Sequence, residues 1–560
     1  MPSIAGLNRP ARAIRSVFRD ADSAFWPLAG IAILLIAQAT IIVTRAINWD
    51  EFIHYGILID MVSGQRVSAL QTLWQRVFAW LPTMPGDTID RIRYGRAGML
   101  AFELLTLTMI AAIARRFTDH SGAAMGALAW LSAGYVLQHG FSFRADPVVT
   151  ATLTTALAVL AWRKLDAITA LIVGALLGVA GMLTIKAVLY AAAFAGLACL
   201  RWTEAERKAS ATLTLLAIPI LAALTFALIH ELHASAIAGQ VRGASAITSA
   251  SSTALADNAW HYVFFIGRPN NLGFVVGAIS TGLGLFAMIL AFPFALKGRS
   301  LHQRIALIGM IAIVATPAFY ENTAPYYYTF MLAPVAIACV VSIDLARRKV
   351  PAMVISALLM SLAISVFAHE NRKIISHQKR IDAVATSLFD ERVAYFDHAD
   401  ALPGFDKMNP FMSPWGIRGY LANGRPIYST AMRQRPVPLL LANWHPFISV
   451  FAGEEKYFLP EDAKAIRENY VQFEGPVWLA GKTVPAHGSN NSEVLVPGPY
   501  TLRGGALTID GVVRKEGDVL NLDRGHHMLV NSGGSAASIV YGNRLEAVDS
   551  LNFSGTWIDF

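Results

Sequence analysis

Apolar runs long enough to cross a bilayer recur along the first two thirds of the chain, and no other feature limits the fold as much. The first run covers 26–43, and others lie at about 97–114, 121–137, 147–162, 168–184, 187–200, 211–230, 272–295, 305–319, 329–345 and 351–368. Roughly 20 apolar residues in a helix match the ~30 Å hydrocarbon core, so the pattern predicts a polytopic helical membrane protein with about eleven spans. The stretch 168–200 is interrupted by Lys186 and reads as a hairpin of two short helices. Composition agrees: only 15% of the 560 residues are charged and 55% are hydrophobic, whereas a soluble domain carries about 25% charge. Disorder, a coiled coil and an ordinary cytosolic enzyme are excluded. Cys199 and Cys339 both fall inside apolar runs, where they read as small hydrophobes, with no disulfide or zinc site expected.

Charge sets the expected orientation. The formal net charge is +8, and the basic residues cluster: Arg9, Arg12, Arg15 and Arg19, then Arg115-Arg116, Arg163-Lys164, Arg201/Arg207/Lys208, Lys297/Arg299/Arg304 and Arg347-Arg348-Lys349. These fall at every second connection, which the positive-inside rule assigns to the cytoplasm. The charge therefore reports topology rather than nucleic acid, and no nucleic-acid partner is expected. Ala37-Gln38-Ala39 resembles a cleavage site, but the long leader and the many later spans favour an uncleaved first span. An odd number of spans places everything after His369 outside. In a bacterium this means the inner (plasma) membrane, with the N-terminus cytoplasmic and the C-terminal part periplasmic.

The first outer connection is long. Leu70, Leu73, Trp74, Val77, Phe78 and Leu81 recur in it at helical spacing, with Gln71, Gln75 and Arg76 on the other face. This predicts an amphipathic helix in the membrane interface. A later outer loop is Ser/Ala-rich over 244–256. After Ala368 the composition changes, giving three regions: a membrane domain over 1–368, a small α/β domain over 369–480, and a β-sandwich over 481–560 built from short strands between Gly and Pro.

Chemistry gathers at the outer ends of the spans. Asn48-Trp49-Asp50-Glu51-Phe52-Ile53-His54-Tyr55 begins where the first span leaves the membrane. Asp50 and Glu51 there could serve as a general base and a positioning group, with His54 in support. Asn48 and Glu51 also have capping-box spacing. In Arg144-Ala145-Asp146-Pro147, Asp146 suits a helix N-cap and Pro147 the first turn, but a cation such as Arg144 disfavours a helix N-terminus. Lys186 could snorkel to headgroups or bind a phosphate as a compact charge. Glu103 lies within the second span and is a functional candidate, or pairs with a neighbouring span. His230 and His233 have three-residue spacing that does not suit a zincin, and His526-His527 sits in a β turn. Gly122/Gly126 and Gly174/Gly178 have the spacing of close helix packing. Walker A, G-x-S-x-G and paired C-x-x-C motifs are absent from the sequence.

Taken in order, these motifs resemble polyprenyl-phosphate-sugar-dependent glycosyltransferases of the GT-C class, in the bacterial branch akin to protein O-mannosyltransferases and lipid A aminoarabinose transferases. The resemblance covers roughly 26–370. It rests on Asp50-Glu51 after the first span, the amphipathic outer loop, Arg144-x-Asp146, Leu183-Thr184-x-Lys186, and Pro325-Tyr326-Tyr327-Tyr328 before a span containing Pro334. It implies a GT-C-like helical membrane domain and an inverting transfer, with the catalytic carboxylate at Asp50 and Glu51 beside it. The donor phosphate would meet Lys186, Arg144 and Tyr326, supported by His54, Asp146 and Glu103. The Trp-Trp-Asp motif of oligosaccharyltransferases is absent, which argues against en bloc transfer to asparagine. The implied partners are membrane lipids, a polyprenyl-phosphate sugar, and a glycolipid, polysaccharide or protein acceptor. No cofactor is expected to be required, and a divalent metal beside the carboxylates is the optional addition. The outer region 469–481 looks like one appended to some such transferases, and the sandwich like a carbohydrate-binding module. The alternative reading is a transporter or flippase of lipid-linked glycans, and a third is a non-catalytic glycan-binding membrane protein.

Overall fold

The computed structural model describes residues 24–64, 67–238, 271–410, 412–543 and 545. The N-terminal arginines and the Ser/Ala-rich stretch 244–256 lie outside them. The chain is mostly helical, with a sheet region at its C-terminal end. In chain order the first helices are α1 (Phe25–Thr44), α2 (Trp49–Val62), α3 (Thr88–Ala114), α4 (His120–Leu131), α5 (Gly134–His139), α6 (Ala145–Trp162) and α7 (Ala167–Leu183). Then come α8 (Ala191–Glu204), α9 (Lys208–Ala238), α10 (Leu272–Thr281), α11 (Leu283–Ala295), α12 (Leu301–Ile311), α13 (Tyr327–Arg347) and α14 (Ala352–Ala368).

Among the described residues, seven helices are long and apolar enough to cross a membrane, counting the 3₁₀ turns that extend α8 and α12. The pair α10 and α11 is bent by 94° at its break, and α7 and α14 are shorter apolar helices. The expected span at 121–137 is broken after α4, where Ser132 and Ala133 end the helix before α5 begins. The chain is thus a multi-pass membrane protein. Aspartates start several helices: Asp87, Asp119 and Asp166 accept hydrogen bonds from the backbone N–H of Asp90, Gly122 and Thr169, satisfying donors that the first turn leaves open. α13 is the central helix, buried over most of its length. Gly126 lets α4 close on it, since a Cβ there would come within 2.6 Å of Val340 Cγ1. Gly174 and Gly178 do the same between α7 and α9, so both glycine pairs act in packing. α9 turns Leu213, Leu216, Ile220, Leu224, Leu228 and Leu232 outward, as a helix with one face toward lipid does.

The outer connection differs from the expected amphipathic α-helix. It forms two 3₁₀ turns, Leu73–Phe78 and Leu81–Thr83. The three-residue period eclipses side chains that the α period would have separated. Trp74, Phe78 and Leu81 are buried in protein, Gln75 is buried with them, and Leu70, Val77 and Trp80 are exposed. Gln75 sits inside because its amide donates to the His54 carbonyl at 3.1 Å.

Beyond the last span, α15 (Ile374–Leu388) lies against the membrane domain and leads into mixed structure: β1 (Ala394–Phe396), β2 (Asp406–Lys407), α16 (Pro414–Asn423), α17 (Tyr428–Gln434), β3 (Leu439–Leu441), α18 (His445–Phe451), α19 (Pro460–Asn469) and β4 (Tyr470–Glu474). There follow β5 (Val477–Val484), β6 (Ser489–Val494), β7 (Gly498–Arg503), β8 (Leu507–Ile509), β9 (Val512–Arg514), β10 (Val519–Leu522), β11 (Gly525–Val530) and β12 (Ala537–Tyr541). One sheet runs β10-β7-β12-β5-β3-β1-β2 with β4 also on β5, and a second runs β6-β11-β8-β9. β5 passes through the expected junction at 480. Leu479 pairs with Leu439 of β3, while Gly481 pairs with Val540 of β12. The α/β part and the sandwich therefore share one sheet. Alternating residues Leu502, Leu520, Leu529 and Ile539 form the sandwich core.

Three contacts seat the region after α14 on α2 and on the turn that precedes it. Gln378 of α15 bonds both backbone groups of Ile47, accepting from its N–H and donating to its carbonyl at 2.8 Å each. Asp400, at a φ of +73°, sits so close to Gly56 that a Cβ there would collide with its carboxylate. Trp49 meets the rings of His398 and Trp444.

Candidate active site

The turn after α1 decides where two carboxylates point. Asn48 caps α2, accepting from the N–H of Asp50 at 2.9 Å, and Glu51 Oε2 takes the N–H of Asn48 at 3.0 Å, completing the capping box. Consecutive helical residues diverge by about 100°, so Asp50 and Glu51 face different surroundings.

Glu51 is fully buried. Arg96 of α3 grips it with two hydrogen bonds, Nε to Oε1 at 2.8 Å and Nη2 to Oε2 at 2.5 Å. The N–H of Phe143 adds a third at 2.8 Å. Burial raises its pKa, but the charge and hydrogen bonds of Arg96 win and hold it below the usual carboxylate range. Arg96 also donates to the carbonyls of Arg45 and Ala46, so the clamp fixes the end of α1, the start of α2 and the loop before α6 together. Both Glu51 oxygens are therefore engaged within the protein, each by two hydrogen bonds.

Asp50 faces Arg144, with which it makes a direct ion pair, and its side chain keeps 15% exposure. Arg144 is itself the N-cap position of α6, which starts at Ala145. Asp146, expected as the cap, lies instead within the first turn, where the helix dipole favours a negative charge. Its Oδ1 accepts from Lys186 Nζ at 2.6 Å, and its Oδ2 from Arg144 Nε at 3.3 Å. Lys186 sits in the 3₁₀ turn between α7 and α8 and is only 8% exposed, so it does not snorkel to headgroups. Tyr326 lies beneath both cations. The Arg144 guanidinium carbon is 3.2 Å and Lys186 Nζ 5.1 Å from its ring centroid, and its hydroxyl donates to Asn322 Oδ1 at 2.7 Å. Burial disfavours charge on Arg144, yet Asp50, Tyr326 and Asp146 more than compensate and raise its pKa. The cluster is charge-balanced: two carboxylates, two cations, and an aromatic face.

His54 lies one turn beyond Asp50, with its ring 5.3 Å from that of Trp74. Burial, then the charge of Arg144, lower its pKa to about 4, so it is a neutral imidazole at ordinary pH. Glu103, expected in support, does not join the cluster. It stands seven residues beyond Arg96 on α3, about 10 Å along the axis. There it accepts from Gln38 Nε2 of α1 at 2.7 Å, and the same amide reaches the carbonyls of Val136 and Leu137 at 3.4 and 3.2 Å. Glu103 thus holds α1, α3 and α5 together, the pairing alternative of the sequence reading. Arg96 was missed by sequence reasoning. Its signal was present: with Arg91 and Arg93 it forms a basic group at the end of α3 opposite the Arg115-Arg116 pair, where an alternating positive-inside pattern predicts none. His233 accepts from Arg76 Nε at 2.7 Å and bonds Thr72 Oγ1 at 2.9 Å. Among the described residues no group of three His, Cys, Asp or Glu side chains could hold a metal ion.

No protein-family model matches the chain. No curated protein matches its sequence. Solved structures do. The chain is similar to ArnT from Cupriavidus metallidurans bound to undecaprenyl phosphate, with a TM-score of 0.54 at 14% identity, over 77% of this chain and 95% of that one. The apo state of the same protein gives a TM-score of 0.52 at 14% identity, over 76% and 94%. The molecule has the GT-C fold.

Proposed function

We propose that the protein is an inverting membrane glycosyltransferase that moves a hexosyl or pentosyl group from a polyprenyl-phosphate donor to a hydroxyl acceptor. The reaction would take place on the extracytoplasmic side of a bacterial inner membrane, with the N-terminus in the cytoplasm and the region after His369 in the periplasm. One observation carries the reading: Arg144 and Lys186 meet over Tyr326 at the outer helix ends, beside a partly exposed carboxylate at Asp50. That the similar ArnT structure binds undecaprenyl phosphate supports the donor class.

The chemistry follows from charge. As the bond between the anomeric carbon and the phosphate oxygen breaks, the electron pair stays on the phosphate, and fixed cations stabilise that charge. Arg144 and Lys186 supply it, so the leaving group needs no proton. Asp50 takes the proton of the acceptor hydroxyl while its oxygen attacks the opposite face of the sugar, inverting the centre. In the resting arrangement Asp50 and Asp146 neutralise the cations. An arriving phosphate competes for Arg144 and turns Asp50 toward the acceptor, so the base is released only when a donor is bound. The reading requires no cofactor; if a divalent metal takes part beside Asp50, a chelator abolishes turnover.

The test is to incubate the purified protein with a panel of polyprenyl-phosphate sugars and follow the free polyprenyl phosphate. Sugar transfer or release is the expected result. Movement of intact donor across a vesicle membrane without bond cleavage would overturn the reading in favour of a flippase.

A further inference from the structure

Tyr326 stands at the N-cap position of α13, where its side chain makes no capping bond. The direction of its ring still matters. Arg144 and Lys186 both lie over it, 3.2 and 5.1 Å from its centroid, and a cation is attracted by the face of an aromatic ring, not by its edge. Packing sets part of that direction, since Tyr326 is buried. Its hydroxyl sets another part by donating to Asn322 Oδ1 at 2.7 Å. A bond at the para position fixes where the ring axis points, and packing fixes the rotation about that axis.

Asn322 lies outside any helix, in the connection 319–325 between the 3₁₀ turn Ala312–Ala318 and α13. Its neighbours tie that connection down. The Glu321 carbonyl accepts from Asn271 Nδ2, at the N-cap position of α10, at 2.9 Å, and from the Thr323 N–H at 2.9 Å. The Glu321 carboxylate meets Arg418 of α16 at 3.3 Å. Arg418 is more than half exposed, and such a surface pair adds little, so the bond from Asn271 is the firmer tie. Asn322 thus presents a fixed acceptor to the Tyr326 hydroxyl, and the connection that carries it is held in turn by α10 and α16.

We propose that Asn322 is a positioning residue for the donor phosphate, anchoring the Tyr326 ring beneath Arg144 and Lys186 so that both cations stay side by side over it. The proposal rests on the reading of those two cations as the phosphate site. In the resting cluster Arg144 has Asp50, Asp146 and the ring face around it. Once a phosphate has drawn Arg144 from Asp50, only Asp146 and the ring remain of those three to hold the guanidinium in place. The anchor therefore counts for more in the donor-bound state than in the empty one. Losing it weakens donor binding while leaving the fold almost as stable as before.

The experiment measures binding of undecaprenyl phosphate to the full-length protein in lipid nanodiscs, with the melting temperature read alongside. The variants are Asn322→Leu, Asn322→Gln, Tyr326→Phe, and Asn322→Leu combined with Tyr326→Phe. Asn322→Leu is expected to weaken binding about three- to tenfold, the range of one lost hydrogen bond, with a melting temperature within about two degrees of wild type. Asn322→Gln keeps the amide oxygen and should recover part of the affinity. With Tyr326→Phe already in place the hydroxyl is gone, so Asn322→Leu should cost nothing further. Wild-type affinity in Asn322→Leu, no recovery in Asn322→Gln, or losses that add in the double variant would overturn the anchor while leaving the donor site standing. A fall in melting temperature that tracks the loss of affinity would also overturn it, by making Asn322 a residue of the fold alone. Absence of undecaprenyl phosphate binding by the wild type would instead strike the proposed function, and the anchor with it.

Discussion

At Glu51 both oxygens are held by a buried arginine and two backbone N–H groups. At Asp50, one position earlier on the same helix, a single arginine makes the contact and the side chain still reaches solvent. The two residues have the same chemistry and different surroundings. A saturated carboxylate fixes backbone, because releasing it would strand a charge in the interior. A carboxylate with one partner and an open side can exchange that partner for a substrate. Accessibility and partner count, rather than residue type, separate the proposed base from its support.

Asp50→Asn tests the open side with the largest expected effect. It keeps the size and the helix start, removes the basic form, and should lower turnover by about 10²–10⁴-fold with little change in thermal stability. Near-normal turnover would erase the distinction between the two residues. Glu51→Gln tests the closed side. It leaves Arg96 buried with its charge uncompensated, and breaking such a pair typically costs about 3–5 kcal/mol. A fall in melting temperature and in folded yield is expected, with partial recovery when Arg96→Leu is added. A stable but inactive Glu51→Gln would make Glu51 chemical and sink the clamp.

Lys186→Met probes the cluster from its other end. It keeps much of the apolar stem and should weaken binding of undecaprenyl phosphate by about 1.5–3 kcal/mol, the scale of a lost charged hydrogen bond, read by titration calorimetry in detergent. Unchanged affinity would leave the phosphate to Arg144 alone. A third carboxylate sharpens the comparison most gently. Burial pushes Asp400 up to about 7, against the pull of Lys407 and of the Tyr395 hydroxyl, and the neighbouring Asp60 and Asp397 add to the rise. The folded state therefore keeps a proton that the unfolded chain loses nearer pH 4. Its stabilising effect is complete below that value and is lost as pH rises through about 7. Asp400→Asn, which tolerates a positive φ, should melt a few degrees above wild type at pH 8 and equal to it at pH 4. A lower melting temperature at pH 8 would show that the charged form is the native one.

Much of this was legible in the chain, and the failures share a cause. Apolar runs announce spans because lipid permits few alternatives for a backbone, and Asp50, Arg144, Asp146, Lys186 and Tyr326 do converge. What one sequence hides is pairing across distance. Nothing near Glu51 in the chain reveals Arg96, forty-five residues away, and nothing near Ile47 reveals Gln378. The 3₁₀ turns of the first outer connection escaped for a related reason: spacings of three and four are shared by both helix types, and burial of Gln75 depends on a carbonyl from another element. The break at 132–133 was lost because apolar composition continues across it.

β12 pairs with β5 on one side and β7 on the other, so the last strand of the described chain is an interior strand of the sheet. During synthesis β5 and β7 emerge first and wait with open edges until residues 537–541 arrive. At about 5–20 residues per second the interval from β7 to β12 is a few seconds, long enough for an exposed strand edge to find a wrong partner. A premature stop anywhere before β12 would leave the facing edges of β5 and β7 unpaired.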